Sequence, residues 1–339
     1  MRWTKYLIWL TAAAAVYGIV YLLAHVGIVS RFFLLTMVQI CIYIIMALGL
    51  NLITGFTGQL SIGHAGFMSI GAYATGIFVV TFGKPVSAAL TELWGDRGVT
   101  DVAYYIFILT SLAVGALAAA LFGLLLGLPT LRLRGDYLAI ATIGFGEIVR
   151  IVLLNTKALG GASGLPVKQS VDWATAYWLM LLSVVLVYNF VNSSHGRACI
   201  SIRENEIAAE TMGINTTKYK VMAFALGACF AGLAGGIYAN HMYLVHPNSF
   251  GFLKSFEILV MVVLGGLGSV TGCILGAAVM TIMNNVLAPF PELRMIIISV
   301  LLVVMMIFRP NGLMGATELR LPFRRASATG AEEGSGHDL

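Results

Sequence analysis

The 339-residue chain is 59% hydrophobic and only 10% charged, and its mean hydropathy is +0.91. A soluble domain carries roughly 25% charged residues, so this composition excludes a soluble globular protein and predicts that lipid surrounds much of the chain. The formal net charge of +5 comes without any basic run interleaved with aromatic residues, so we expect no nucleic acid among the partners.

Apolar runs long enough to cross a bilayer recur along the chain. A span needs about 20 mostly apolar residues. Residues 256–288 are too long for one span, and they divide at GGLGSVTG into a short and a longer helix. We therefore predict an all-α polytopic membrane protein with ten transmembrane helices, some interrupted by glycine-rich segments: 6–27, 33–54, 64–82, 103–128, 137–155, 173–193, 221–244, 256–267, 271–288 and 293–309.

The first of these runs follows a basic N-terminus and has two interpretations. Its apolar stretch of about 20 residues is longer than the 7–15 residues that are typical of a signal-peptide core. This length favours an uncleaved first transmembrane helix over a cleaved signal peptide.

The distribution of Lys and Arg predicts the orientation. With both termini in the cytoplasm, twelve basic residues fall inside and seven outside, as the positive-inside rule requires. The inside set is Arg2, Lys5, Arg132, Arg134, Arg197, Arg203, Lys218, Lys220, Arg309, Arg320, Arg324 and Arg325; the outside set is Arg31, Lys84, Arg97, Lys157, Lys168, Lys254 and Arg294.

Two polar stretches mark the edges of the transmembrane domain, which we assign to residues 1–315. Residues 83–102 are polar enough to form an external loop. Residues 316–339 are small and polar and bury too little apolar surface to fold, so they predict a disordered cytoplasmic tail.

Glycine and polar residues interrupt apolar sequence at GFTGQLSIGHAG (55–66) and at GGLGSVTG (265–272). In lipid, irregular backbone is tolerated only where protein buries it or water reaches it. The segments therefore line a transport pathway, or else they permit close helix packing, which glycine also favours. The candidate pathway residues are Gly58, Gln59, Ser61, His64, Glu147, Gly265, Gly266 and Gly268.

Gln59, Ser61 and His64 have hydrogen-bonding groups that suit a polar substrate or its waters. His64 is either a structural donor or a substrate ligand, and no second His or Cys stands near it at metal spacing. The four cysteines show no CxxC or CxxH spacing, so we expect no disulfide framework, no metal and no cofactor: Cys41, Cys199, Cys229 and Cys273.

Glu147 lies within the fifth predicted span, where an acid is costly unless it is paired. Arg150 is three residues further along the same helical face, which predicts a structural ion pair or, alternatively, a gate or relay. We take Glu147 as the only deep acid. Asn284 and Asn285, near the outer end of the ninth span, are attributed to solvation at the interface.

The largest cytoplasmic loop, 194–220, contains RENEIAAETMG (203–213), which predicts one short amphipathic helix that stops at Gly213. Its polar face is acidic, whereas helices that rest on a membrane surface are rich in Lys and Arg. Docking on a partner protein is therefore favoured over a surface-resting helix. The candidate coupling residues are Arg203, Glu204, Glu206, Ala208, Ala209 and Gly213.

This loop resembles the EAA-type coupling loop of ABC importer permeases, with Glu206, Ala208, Ala209 and Gly213 at the matching positions. Further stretches across residues 37–315 resemble the LivM-type permease subunits of branched-chain amino acid importers, in the expected order. They are ALGLNLITGFTGQLSIGHAGFMSIGAYATGIF (47–78), LRGDYLAIATIGFGEIVR (133–150), GGASGL (160–165), FAGLAGGIY (230–238), ILVMVVLGGLGSVTGCILGA (258–277) and RPNGLMG (309–315).

The resemblance implies a multi-pass permease of the bacterial inner membrane that moves branched-chain or related amino acids into the cytoplasm. The implied partners are a LivH-like second permease, two cytoplasmic ATPase subunits that are LivG- and LivF-like, a periplasmic substrate-binding protein and membrane lipid. Importers of urea or short amides share most of these motifs, so that substrate class stays open as an alternative.

Two other classes of function are less favoured. The chain has no GxxxxGK[ST] pattern, so we expect a transport subunit that is not itself an enzyme. An ion-coupled secondary transporter needs intramembrane carboxylates or an ion site, and an intramembrane enzyme needs a convergent catalytic set. His64 and Glu147 are the candidates for such roles, and nothing in the sequence links them.

Overall fold

The computed structural model describes residues 17, 18, 20, 31–94, 99–130, 136–309 and 312–315. Its helices are α1 Arg31–Asn51, α2 His64–Trp94, α3 Val99–Thr130, α4 Asp136–Asn155, α5 Trp173–Asn192, α6 Ser194–Glu204, α7 Glu206–Thr211, α8 Thr216–His241, α9 Phe252–Gly265, α10 Val270–Val286 and α11 Pro291–Phe308. A π-helical turn, Leu52–Phe56, continues α1, and short 3-10 turns cover Lys157–Leu159, Gly161–Ser163 and Pro247–Phe250. Strand β1, Leu165–Pro166, pairs antiparallel with β2, Leu244–Val245.

Seven helical segments within the described residues are long and apolar enough to cross a membrane. They correspond to seven of the predicted spans and make the chain an all-α polytopic membrane protein. These segments are Phe32–Phe56, His64–Gly83, Tyr104–Leu128, Tyr137–Asn155, Trp173–Asn192, Thr216–His241 and Pro247–Gly265.

Helices α10 and α11 match the last two predicted spans, 271–288 and 293–309, to within a few residues. The predicted first span, 6–27, lies almost entirely outside the described residues, and the predicted tail, 316–339, lies entirely outside them. The total of ten spans, the cytoplasmic termini and the disordered tail therefore stay predictions.

The predicted external loop at 83–102 is largely helical rather than irregular, although the membrane-spanning stretches on either side end at Gly83 and begin at Tyr104, close to the predicted bounds. Helix α2 continues to Trp94 and α3 begins at Val99. The run AALTEL (88–93) consists mainly of good helix formers. Polarity marks where lipid ends, but a helix continues into water as long as its residues favour it.

Helix α9 is shorter than an ordinary membrane span and begins earlier than predicted, at Phe252 rather than residue 256. Its 14 residues rise about 21 Å, against a hydrocarbon core of about 30 Å. A 3-10 turn, Pro247–Phe250, extends the helical segment toward its N-terminal side.

Helix α8 is the centre of the bundle, and small residues bring its neighbours close. A Cβ placed on Gly235 of α8 would lie 2.0 Å from the Met68 carbonyl oxygen of α2. One on Gly71 of α2 would lie 2.2 Å from the Gly232 carbonyl oxygen of α8. These backbones therefore touch, as in other membrane bundles where glycine replaces bulk at helix contacts.

The connecting segments gather at two ends of the bundle. The turn end, as we name it, comprises residues 52–63, 194–213, 266–269 and 312–315, where the Leu313 N–H donates to the Leu264 carbonyl over 2.9 Å. The strand end comprises residues 156–172 and 242–251, where β1 pairs with β2. This grouping agrees with the predicted topology, which assigns the turn end to the cytoplasm and the strand end to the outside.

Single cysteines test the orientation. We expect Lys157→Cys, exposed at the strand end, to react with an impermeant thiol reagent on intact cells, and Met212→Cys, 82% exposed at the turn end, to react only after permeabilisation. The unsubstituted chain is the control; its Cys41 and Cys199 are buried, and burial raises the pKa of the Cys199 thiol to about 11, so it stays protonated. The opposite pattern of labelling would invert the topology.

Candidate functional site

The side chain of Asn51 joins the two glycine-rich segments. It is fully buried at the end of α1. Its Nδ2 donates to the Ser269 carbonyl over 3.2 Å, and its Oδ1 accepts from the Gly268 N–H over 2.8 Å. The π-helical end of α1 and the turn between α9 and α10 therefore form one unit, although they are more than 200 residues apart in the chain. Sequence reasoning missed Asn51; its signal was an amide inside an apolar span.

The turn between α9 and α10 requires glycine for two different reasons. Gly266 and Gly268 have φ of +117° and +82°, a region that L-residues with side chains rarely adopt. Gly265 has ordinary backbone, but a Cβ there would lie 2.3 Å from the Gly272 carbonyl oxygen of α10. Close packing therefore explains Gly265, turn geometry explains the other two, and their assignment to a pathway stays a proposal.

The Arg203 side chain connects the 194–220 loop to both glycine segments. Its guanidinium donates to the Gly55 carbonyl in the π-helical turn over 2.8 Å. A Cβ on Gly268 would lie 2.6 Å from an Arg203 terminal nitrogen, and one on Gly58 (φ +71°) would lie 3.1 Å from its Cγ. Arg203 thus lies between the two turns that Asn51 holds together.

The stretch RENEIAAETMG forms two helices rather than the single predicted helix. Helix α6 ends at Glu204, Asn205 has extended backbone, and α7 begins at Glu206. The Asn205 Oδ1 accepts from the Ala208 N–H over 3.0 Å and so caps α7. Gly213 takes φ +83°, as expected for a residue just beyond a helix C-terminus.

The acidic residues of this loop bond within the chain, which changes the surface that we expect a partner to meet. Their partners are Arg203 for Glu204 at 2.6 Å, Lys220 for Glu206 at 2.6 Å, and the Thr216 hydroxyl for Glu210 at 2.7 Å.

The exposed surface of the loop also carries apolar side chains among its polar ones. Ile207 and Met212 are 70% and 82% exposed, and Ala208 between them is also exposed. We name these three residues the docking face. Ala209 is buried and packs inward, so it contributes to the fold of the loop rather than to its surface.

Gln59, Ser61 and His64 are buried with unsatisfied polar atoms. Gln59 Oε1 and Ser61 Oγ have no hydrogen-bond partner among the described residues, and the His64 ring nitrogens make no bond of ordinary geometry there, although the Met46 backbone lies near the ring. The His64 ring meets the edge of Phe67, with centroids 6.4 Å apart. A buried polar group left unpaired costs about 1–3 kcal/mol, so this group of polar side chains needs a physical reason.

Glu147 forms the predicted ion pair with Arg150, at 2.8 Å. Its second oxygen accepts from the Phe252 N–H over 3.1 Å, at the start of α9, and Arg150 also donates to the Asn248 side chain over 2.9 Å. This cluster fastens α4 to the beginning of α9. The structure does not bring Glu147 together with Gly265 and Gly266, which lie at the other end of α9.

Glu257 is a second acid inside a membrane helix, so the prediction that Glu147 is the only one was wrong. Lys254 pairs with Glu257 at 2.9 Å, one turn away along α9, and also donates to the Tyr43 hydroxyl of α1. The Asn284 amide of α10 donates to the other Glu257 oxygen. The i,i+3 spacing of Lys254 and Glu257 was the available sequence signal.

Asn284 and Asn285 are not explained by interfacial solvation. Besides the bond of Asn284 to Glu257, the Asn285 amide donates to the Thr36 hydroxyl and the Gln39 side-chain oxygen, each over 3.2 Å. Polar side chains thus join α1, α9 and α10 at their strand-end halves, as Asn51 joins them at the turn end.

Comparison with known proteins identifies one family. The family described as branched-chain amino acid transport system, permease component, matches residues 32–306. The high-affinity branched-chain amino acid transport system permease protein LivM of Escherichia coli K12 is 36% identical over 327 residues, which cover 86% of this chain and 72% of that protein. No solved structure matches the chain significantly.

Two more distant relatives bear on partners and substrate. The E. coli K12 permease protein LivH of the same named system is 24% identical over 299 residues, covering 82% of this chain and 92% of LivH. The guanosine ABC transporter permease protein NupQ of Bacillus subtilis 168 is 27% identical over 252 residues, covering 68% of this chain and 73% of NupQ.

A matched pair of glycine substitutions tests the junction. Gly268→Ala should destabilise the protein by about 1–2 kcal/mol through positive φ alone, and more because the new Cβ displaces Arg203. Gly144→Ala, a helical position with no atom within 4 Å of the added Cβ, should be neutral or slightly stabilising. Thermal unfolding of the purified protein measures both. Equal midpoints for the two variants would contradict the geometry of the junction.

Proposed function

Because the chain belongs to the family of permease components of branched-chain amino acid transport systems, we propose that it imports branched-chain or related amino acids into the cytoplasm. Energy comes from separate ATPase subunits, and a binding protein delivers the substrate. The substrate class rests on the family, and the observation that carries the coupling to an ATPase is the contact of Arg203, on the 194–220 loop, with the Gly55 carbonyl at the interrupted end of α1. A loop that receives a partner's movement thereby has a direct route into the membrane helices.

The docking face is the surface that meets the ATPase. Ile207, Ala208 and Met212 project from a short helix whose acids are already engaged, so burial of apolar area supplies the affinity. Lys220 and Thr216 at the start of α8 bind Glu206 and Glu210. The loop therefore moves together with α8 rather than as a free segment.

Arg203 passes that movement to the glycine turns. When α6 shifts, the guanidinium pulls on the π-helical turn after α1 and presses on the turn between α9 and α10. Glycines with positive φ form compact turns that leave room for this side chain. Rocking of α1, α9 and α10 as one unit then opens or closes the permease toward the cytoplasm.

Gln59, Ser61 and His64 belong to the pathway in this mechanism. Their polar atoms without protein partners are available to bind water or substrate when the turn end opens. The identity to LivH supports a second, related permease as the partner across the pathway.

The substrate class is tested by transport itself. The complex of this permease with its second permease, ATPases and binding protein, reconstituted in liposomes, should accumulate leucine on addition of ATP. Because the relative NupQ is named a guanosine permease, guanosine is tested as a competing substrate. Urea and acetamide are tested in the same assay. Uptake of guanosine, urea or acetamide without leucine would overturn the amino acid assignment.

Substitution on the docking face should separate assembly from folding. Ala208→Trp adds bulk to an exposed position, so the permease should fold and insert but lose at least half of its co-purifying ATPase. Ala158→Trp is the matched control, since Ala158 is exposed at the strand end. Undiminished ATPase recovery with Ala208→Trp would remove the docking face from the interface.

Substitution of Arg203 should separate assembly from coupling. Arg203→Ala leaves the docking face unchanged, so ATPase subunits should still co-purify. Substrate stimulation of ATP hydrolysis and uptake should both fall about tenfold, equivalent to about 1.4 kcal/mol of lost coupling. Arg203→Lys keeps the charge but loses the planar fork, so we expect an intermediate result. Full stimulation and uptake in Arg203→Ala would rule out this route.

A further inference from the structure

A cavity of about 310 Å³ lies near the strand end, between α1, α8 and the start of α9. Under the predicted topology it is on the outer side, remote from the glycine turns. Its walls combine polar groups with apolar surface. Lys254, Gln39 and Ser249 provide polar groups, whereas Ile42 and Met242 provide apolar surface.

Lys254 is the one charged side chain among the described residues that line this cavity. Its side chain is only 21% exposed. The ammonium donates to Glu257 and to the Tyr43 hydroxyl and lies 4.4 Å from the centre of the Tyr43 ring. An ammonium has three donors, so one remains for a further acceptor.

The acidic partner of Lys254 is not among the residues that line the cavity. Glu257 accepts from Asn284 with one oxygen and from Lys254 with the other, and it does not line the cavity. A molecule in the cavity therefore meets a cation that already has a counter-charge but keeps one free N–H donor. That N–H can donate one charge-assisted hydrogen bond to a ligand carboxylate.

The size of the cavity and its apolar wall restrict the class of ligand further. Sites for drug-sized molecules measure about 300–1,000 Å³, so this cavity is at the small end of that range. Ile42 and Met242 offer a surface for a short aliphatic side chain. A free amino acid with such a side chain matches all three features: small size, a carboxylate and an apolar tail.

We propose that this cavity binds the substrate amino acid, with Lys254 holding its carboxylate and with Ile42 and Met242 contacting its side chain. The inference rests on the proposed function and adds a site within the permease itself. Helices α1 and α9 line this site at one end, and the Arg203-linked turns lie at their other end. Occupancy of the cavity therefore bears on the elements that the coupling loop moves.

Substrate protection of a cysteine tests the site without requiring transport. Ser249→Cys places a thiol in the exposed wall of the cavity, and an impermeant thiol reagent should label it in reconstituted vesicles. Leucine at about four times its Kd should slow labelling about fivefold by mass action. Leucinamide, which lacks the carboxylate, should give little protection at the same concentration.

Charge removal at Lys254 completes the test. Lys254→Met alone leaves Glu257 unpaired and risks misfolding, so we combine it with Glu257→Gln. In this background leucine should no longer protect the Ser249→Cys thiol. Lys157→Met is the matched control, because it removes an exposed lysine of the strand end that does not line the cavity; there, protection should persist.

Three results would overturn the site: equal protection by leucine and leucinamide, continued protection by leucine without Lys254, or protection by guanosine, phosphate or anionic lipid but not by leucine. ATP-driven uptake by the complex with wild-type permease, measured in parallel, reports the proposed function separately. If leucine is imported but does not protect the thiol, the cavity inference fails alone. If neither leucine nor any other amino acid is imported, the proposed function fails, whatever the labelling gives.

Discussion

The bidentate contact of Asn51 with the α9–α10 turn is the constraint on which the rest of the structure depends. A glycine-rich turn exposes backbone N–H and C=O groups that lipid cannot satisfy, and Asn51 satisfies one of each, at Gly268 and Ser269. Once the turn is held there, Arg203 reaches the Gly55 carbonyl from the neighbouring loop. The irregular backbone, the 194–220 loop and the helix ends are consequently held together by these contacts.

The bundle combines close backbone packing with polar contacts between side chains. Glycines bring α2 and α3 against α8, and they also bring α9 against α10, where a Cβ on Gly265 would lie 2.3 Å from the Gly272 carbonyl oxygen. Polar side chains add contacts at both ends of α1, α9 and α10, including Asn51 at one end and Lys254 at the other. Hydrogen bonds between side chains exchange partners more readily than interlocked backbones, so these polar contacts are the ones that a partner's movement would rearrange first.

Apolar runs predicted the described membrane helices, because hydropathy over about 20 residues is a local property. Helix ends were harder to predict. AALTEL continues α2 beyond the lipid, and Asn205 interrupts an otherwise helix-forming run through one capping bond. The polar contacts between distant side chains were the hardest to predict from the sequence. Asn285 meets Gln39 across 246 residues of sequence, and no periodic pattern indicates such a pairing. Glycine positions identified the turns, but only coordinates separate close packing at Gly265 from positive φ at Gly268.

The shortness of α9 has an electrical consequence. Its 14 residues rise about 21 Å within a hydrocarbon core of about 30 Å, so part of the transmembrane voltage falls over the 3-10 turn that precedes the helix rather than over the helix itself. A voltage that is negative inside opposes inward movement of a free anion by about 2.3 kcal/mol per charge per 100 mV. It does almost no net work on a zwitterion, whose two charges travel together. Under the proposed import, the resting voltage therefore opposes entry of a simple carboxylic acid and leaves a neutral amino acid of the same size almost unaffected.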